Sequence, residues 1–246
     1  MKNKRMITIL FLLLIWHVSA MIIGNDILLP SVVQVLSFMG KQLIEIQFYA
    51  VVLITLKRML QGLLASLVSA LFLIILEDRF VWVRQIIEPI ITLIKAIPTV
   101  SYIILALIWF KQEGCVRFIS FMVLFPLFYS SLQLEMKKFN DETKELLMIY
   151  PVHRQEKILK LAIPMLLPSL LNSFKLAFGM GFKASVMAEI MASVRYGVGR
   201  EMKIAQNNLL ITEIFAWTIW IILICLVVDV LMDFLSNYIE KKLNEG

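Results

Sequence analysis

Residues 145–164 read ELLMIYPVHRQEKILKLAIP. Glu145, His153, Arg154, Glu156, Lys157 and Lys160 crowd into a stretch flanked by two long apolar runs, 116–134 and 164–192. A charged island between segments near the ~20 residues a membrane helix needs reads as a loop joining two spans. Working outward, further apolar runs lie at 6–23, 51–76, 89–110 and 209–235, which predicts an all-α polytopic membrane protein of about six transmembrane helices. Composition agrees, since 60% of the 246 residues are hydrophobic and 17% charged, against about 45–50% and about 25% in soluble domains.

The net charge of +6 has an explanation other than nucleic acid, because cytoplasmic loops of membrane proteins carry excess Lys and Arg. With the N-terminus inside, thirteen basic residues in 2–5, 79–84, 137–160 and 241–242 face the cytoplasm. Six, namely Lys41, Lys111, Arg117, Arg195, Arg200 and Lys203, face outward, so both termini are expected to be cytoplasmic. The 139–164 loop is then the longest on the inner side. Residues 2–20 have the basic start and small-residue end of a secretory signal but read better as an uncleaved signal-anchor. Residues 25–40, moderately apolar and broken by Pro30, are expected to lie outside the membrane at its surface. Cys115 and Cys225 have no disulfide or zinc spacing, and His17 and His153 stand alone.

Within the loop, 141–150 places Leu146, Leu147 and Tyr150 on one helical stripe, with Asp141 and Glu142 where a helix N-terminus favours acids. Pro151 ends that helix, a second short one is expected over 154–162, and Pro164 opens the next span. Two short amphipathic helices joined at a rigid corner suit docking of a cytoplasmic partner.

This pattern resembles the EAA loop of ABC-importer permeases: Glu-Ala-Ala, three residues, Gly, nine residues, then Ile-x-Leu-Pro. Glu145, Leu146 and Leu147 take the first three places, Pro151 that of the glycine, Leu161 and Ile163 the aliphatic pair and Pro164 the final proline. Other stretches are similar to the permeases for taurine, sulfonates, nitrate and thiamine precursors: LPSVVQVL, TLKRMLQGLLASLVSALFLII, KAIPTVSYIILALIWF and SFKLAFGMGFKASVMAEIMASVRYGVGREM. In the last, Lys175, Gly179, Phe182, Lys183, Glu189, Gly197 and Gly199 are in register.

The resemblance implies a type I importer permease fold with an anchor and external segment over 1–50, a core over 51–235 holding the EAA loop, and a cytoplasmic tail over 236–246. It implies a bacterial inner-membrane subunit paired with a second copy of itself, two cytoplasmic ABC ATPases and an extracytoplasmic solute-binding protein. No G-x-x-x-x-G-K-[ST] occurs in the chain, so no cofactor is expected on it, and ATP and Mg belong on the ATPase partner. Glu145 is expected to pair with charge in the ATPase groove, Leu147 and Tyr150 to dock apolar surface, and Pro151 to form the corner.

Lys183 and Glu189, six residues apart on the fifth span, are candidates for the translocation path, because a lipid-facing charge near the bilayer centre is costly. Glu189 has a plainer alternative as a structural pair near the outer boundary with a base such as Arg195, and Lys183 has one as a snorkelling residue. Lys175 is expected to snorkel, and Asp229 and Asp233 to sit at the cytoplasmic boundary. Gly179, Gly181, Ala184, Ala188 and Ala192 offer a small-residue surface for a homodimer. The competing reading is a membrane anchor or assembly subunit that keeps the loop without transporting. An intramembrane enzyme is disfavoured, since paired carboxylates and Gly-x-Ser-x-Gly are missing from the sequence.

Overall fold

A computed structural model describes residues 2–149 and 163–244. The described residues form helices α1 (Lys2–Ile23), α2 (Val32–Ile44), α3 (Ile46–Arg79), α4 (Val81–Ala96), α5 (Thr99–Trp109), α6 (Gln112–Ile149), α7 (Ile163–Ala192), α8 (Val198–Asn207) and α9 (Ile211–Asn244). All six apolar runs fall on helices. Of the six expected spans, three lie on helices among the described residues that are long and apolar enough to cross a bilayer, Ile46–Arg79, Gln112–Phe139 and Ile211–Tyr238, and α4 with α5 count as a fourth where the bent pair is one broken span rather than a re-entrant loop.

The third run is not one straight helix. α4 and α5 meet at 100°, because Pro98 disfavours helical geometry at Ile97, which is extended at φ −78°, ψ 129°. The expected separate helix over 141–150 also differs: 141–149 continues the fourth span as the end of α6. No Pro or Gly interrupts residues 127–149, which hold good helix formers such as Glu, Lys and Leu.

α3, α6 and α7 form the core. Met59, Leu63 and Ala70 of α3, Leu124 and Phe128 of α6, and Ala177 and Phe182 of α7 meet in one buried cluster. Pairing sets the directions. Arg58 reaches Glu113 and Glu77 reaches Tyr129, so α3 and α6 run parallel. Thr55 meets Glu189, and Lys175 meets Asp233, so α7 runs against α3 and α9. Gly62 permits the close α3–α6 approach: a Cβ there would lie 2.5 Å from Ser120 Cβ and 2.7 Å from the Arg117 carbonyl oxygen.

The external segment is an ordered helix. Ser31 and Gln34 form a reciprocal capping box at the start of α2. Val35 and Met39 pack on Ala216 of α9, and Trp220 donates to Gln42 at 3.0 Å. α1 is peripheral, attached near Trp16, which donates to the Pro30 carbonyl and stacks on Phe215. Lys175 reaches toward the end of α9, where its ammonium lies 2.7 Å from the exposed Asp233.

Candidate functional site: a buried ion-pair lock

Glu189 sits in the last turn of α7 with no exposed surface. α7 ends at Ala192, and the chain turns through Ser193 at φ 49° and Gly197 at φ +139° before α8 begins. That turn brings the first backbone amides of α8 back over α7. Gly199 N donates to Glu189 Oε2 at 3.0 Å, and Val198 N donates to Thr55 Oγ1 at 2.9 Å. Thr55 in turn donates to Glu189 Oε2 at 3.0 Å. Arg58 completes the cluster: its Nη1 donates to Glu189 Oε1 at 2.7 Å and to the Tyr196 carbonyl at 2.6 Å.

The chemistry is complementary at each point. A helix N-terminus is a ready site for a carboxylate, and Arg58 supplies the full counter-charge. Arg58 Nη2 also donates to Glu113 Oε1 at 3.1 Å, and Arg117 holds the other Glu113 oxygen at 3.3 Å. Among the described residues, no buried side-chain nitrogen or oxygen lacks a partner. The glycines are dictated by this geometry. A Cβ on Gly197 would lie 2.5 Å from Glu189 Oε2, and one on Gly199 would lie 2.5 Å from Glu189 Cβ and from the Val186 carbonyl oxygen.

Glu189 therefore pairs with Arg58 rather than Arg195, which is exposed in the loop beyond the helix end. With its carboxylate enclosed, Glu189 joins α3, α7 and α8 and does not face a passage in this conformation. Lys183 is different: it is exposed on α7, in a stripe with Leu176, Met180 and Met187. The small residues proposed for a homodimer are mostly used within the chain. Ala184, Ala188 and Ala192 pack against α5 and α6, and Gly181 abuts Leu124 and Met59; Gly179 alone of the five faces open space.

A second polar cluster lies where α3 ends and α4 begins. Tyr129, 1% exposed, donates to Glu77. Gln133 donates to Glu88 Oε1 at 2.8 Å and to Tyr129 at 3.1 Å, and Arg84 pairs with Glu88 at 2.8 Å. Cavities of about 90 and 280 Å3 flank it. Sequence reading missed these residues; Glu88, a carboxylate just before Pro89 at the mouth of an apolar run, was the available signal. Of the EAA-like residues, Glu145, Leu146 and Leu147 lie on the last turns of α6, and Ile163 and Pro164 open α7. Tyr150, Pro151 and Leu161, with the expected 154–162 helix, fall outside the described residues. Among the described residues no three His, Cys, Asp or Glu side chains converge on a metal-sized site.

An all-helical bundle with at least three helices long and apolar enough to cross a bilayer, cross-linked by a buried ion pair, defines a membrane-embedded protein. The chain belongs to the family of binding-protein-dependent transport system inner membrane components, which it matches over residues 62–245. It is a permease subunit of the ABC importer class. Thr55 and Arg58, the α3 half of the lock, precede the matched region. No curated protein matches the chain.

Proposed function

We propose that this permease couples the closure of two cytoplasmic ATPase subunits to alternating access for a small solute delivered by an extracytoplasmic binding protein. The carrying observation is the continuity of α6 and α7. Both are core helices, they run antiparallel, and the 145–164 stretch joins them at the end opposite the lock. Force applied to a segment docked there reaches the core along two rigid helices, the arrangement that lets a bistable bundle switch between inward- and outward-open states. On this reading both termini are cytoplasmic, Glu145, Leu147 and Tyr150 engage the ATPase, and ATP and Mg stay on that partner.

Two copies form the transporter, with the Leu176, Met180, Lys183 and Met187 stripe of α7 turned toward the second copy and the path. The solute belongs to the sulfonate, taurine or nitrate group or is a thiamine precursor; for an anion, Lys183 would offset part of its desolvation. Glu145→Ala tests the coupling. It should lower ATPase recovery in detergent co-purification and solute-stimulated ATP hydrolysis in proteoliposomes, about tenfold or more if the pair is desolvated, with membrane expression unchanged. Full ATPase recovery and full stimulation would remove Glu145 from coupling.

A further inference from the structure

Beside the lock, on the same end of the bundle, Lys57, Arg58, Gln61, Glu113, Arg117 and Tyr196 line a recess of about 250 Å3. Arg58 is committed to Glu189 and Glu113, and Arg117 to Glu113. Lys57 has neither a hydrogen bond nor an ion pair among the described residues. Three cations thus surround one carboxylate, and the second carboxylate, Glu189, is spent on Arg58.

Lys57 and Gln61 lie one turn apart on α3 and interrupt a face whose other exposed members are Leu53, Leu60, Leu64, Val68 and Phe72. An ammonium with no protein partner is unfavourable against lipid, so this gap in the apolar face suits water or an anion. Lys57, Gln61 and Arg117 line the same recess, and Glu113 accepts from both arginines. Lys183, among Leu176, Met180 and Met187, has no second donor on its stripe.

We propose that this recess binds an oxyanion group, sulfate, sulfonate or phosphate, held by Lys57 and Arg117 with Gln61 as an added donor. A soluble anion and the phosphate of an anionic lipid share that chemistry. The inference goes beyond the permease reading, because the recess would hold the group whether or not it is cargo.

The test uses the full chain in phosphatidylcholine nanodiscs, with sodium sulfate titrated at ionic strength held constant by sodium chloride and thermal unfolding followed. Wild type should show a saturable rise in Tm, with the midpoint shifted at least tenfold upward in Lys57→Gln and Arg117→Gln, retained in Lys57→Arg and unmoved in Lys41→Gln, an exposed lysine on α2. A parallel arm adds phosphatidylglycerol and counts retained lipid by native mass spectrometry. Lipid retention that is lost in Lys57→Gln, without a sulfate response, assigns the site to a headgroup phosphate. Because Lys57 is exposed and unpaired, Lys57→Gln should unfold at the wild-type temperature without added anion, which separates lost binding from lost fold. Responses to sulfate and phosphatidylglycerol that are both absent, or both indifferent to Lys57 and Arg117, overturn the proposal. Neither arm involves the ATPase, so this failure leaves the permease reading standing, and a failure of ATPase recovery leaves the recess standing.

Discussion

The two polar clusters of the bundle solve the same problem in opposite ways. At the α7–α8 end, Arg58 and Glu189 are almost wholly enclosed, and both Glu189 oxygens and the Thr55 hydroxyl are met by donors, two of them the backbone amides of Val198 and Gly199. At the α3–α4 corner, Tyr129 is enclosed, but Glu88 and Arg84 are each 44% exposed and cavities open on both sides. A buried, fully satisfied network has one arrangement, whereas a hydrated one can exchange partners with water at little cost. The buried pair of the lock accordingly holds one arrangement, although a recess of about 250 Å3 opens beside it, whereas the exposed pair at the corner can exchange partners with water.

The largest effect should come from breaking the lock on one side. Glu189→Ala takes from Arg58 its buried carboxylate and leaves only the half-exposed Glu113, a loss at the low end of the range for a broken buried pair, about 3 kcal/mol, and should lower the unfolding temperature in detergent by roughly 6–12 °C at about 2–4 °C per kcal/mol. Arg58→Met combined with Glu189→Met removes both charges and should recover most of that loss. If the double variant is no better than Glu189→Ala alone, the ion pair is not what the single change damages.

Gly197→Ala should be smaller but still clear. The residue holds a positive φ, and a Cβ there meets the Glu189 carboxylate, so about 1–3 kcal/mol is expected from strain and displacement. The same unfolding assay reads it, and an unchanged midpoint would mean that the turn has room to shift. Tyr129→Phe, at the corner, should cost least, about 0.5–1.5 kcal/mol, because the flanking cavities can hydrate Glu77. Hydrogen exchange across α4 should quicken in Tyr129→Phe while α7 and α8 stay protected. Faster exchange at α8 instead would reverse the contrast between the two ends.

Much of this was legible beforehand. The six apolar runs, the membrane class and the family all follow from apolar run length and motif spacing. Glu189, Gly197 and Gly199 could be picked out as motif residues, but not that they meet Thr55 and Arg58. Arg58 and Glu189 are 131 positions apart, and one sequence holds no information on which distant charges pair, so the nearer Arg195 was the natural but mistaken partner. The alanines of α7 misled for a related reason: small residues allow close helix approach against any neighbour, and here the neighbours are α5 and α6. The break at Ile97 needed more weight on Pro98, whose steric effect falls on the residue before it.

The separation within the lock has a consequence for how the protein is made. Arg58 emerges 131 residues before Glu189, an interval of roughly 7–26 s at ~5–20 residues per second. During that time α3 holds a cation destined for burial without the carboxylate that will neutralise it. Glu113, only 55 positions downstream, arrives first at the start of α6 and can shield Arg58 until α7 is inserted. The exposed carboxylate at the edge of the lock would thus serve biogenesis as a temporary counter-ion, and its loss would be felt in yield at the membrane before it was felt in the stability of the finished fold.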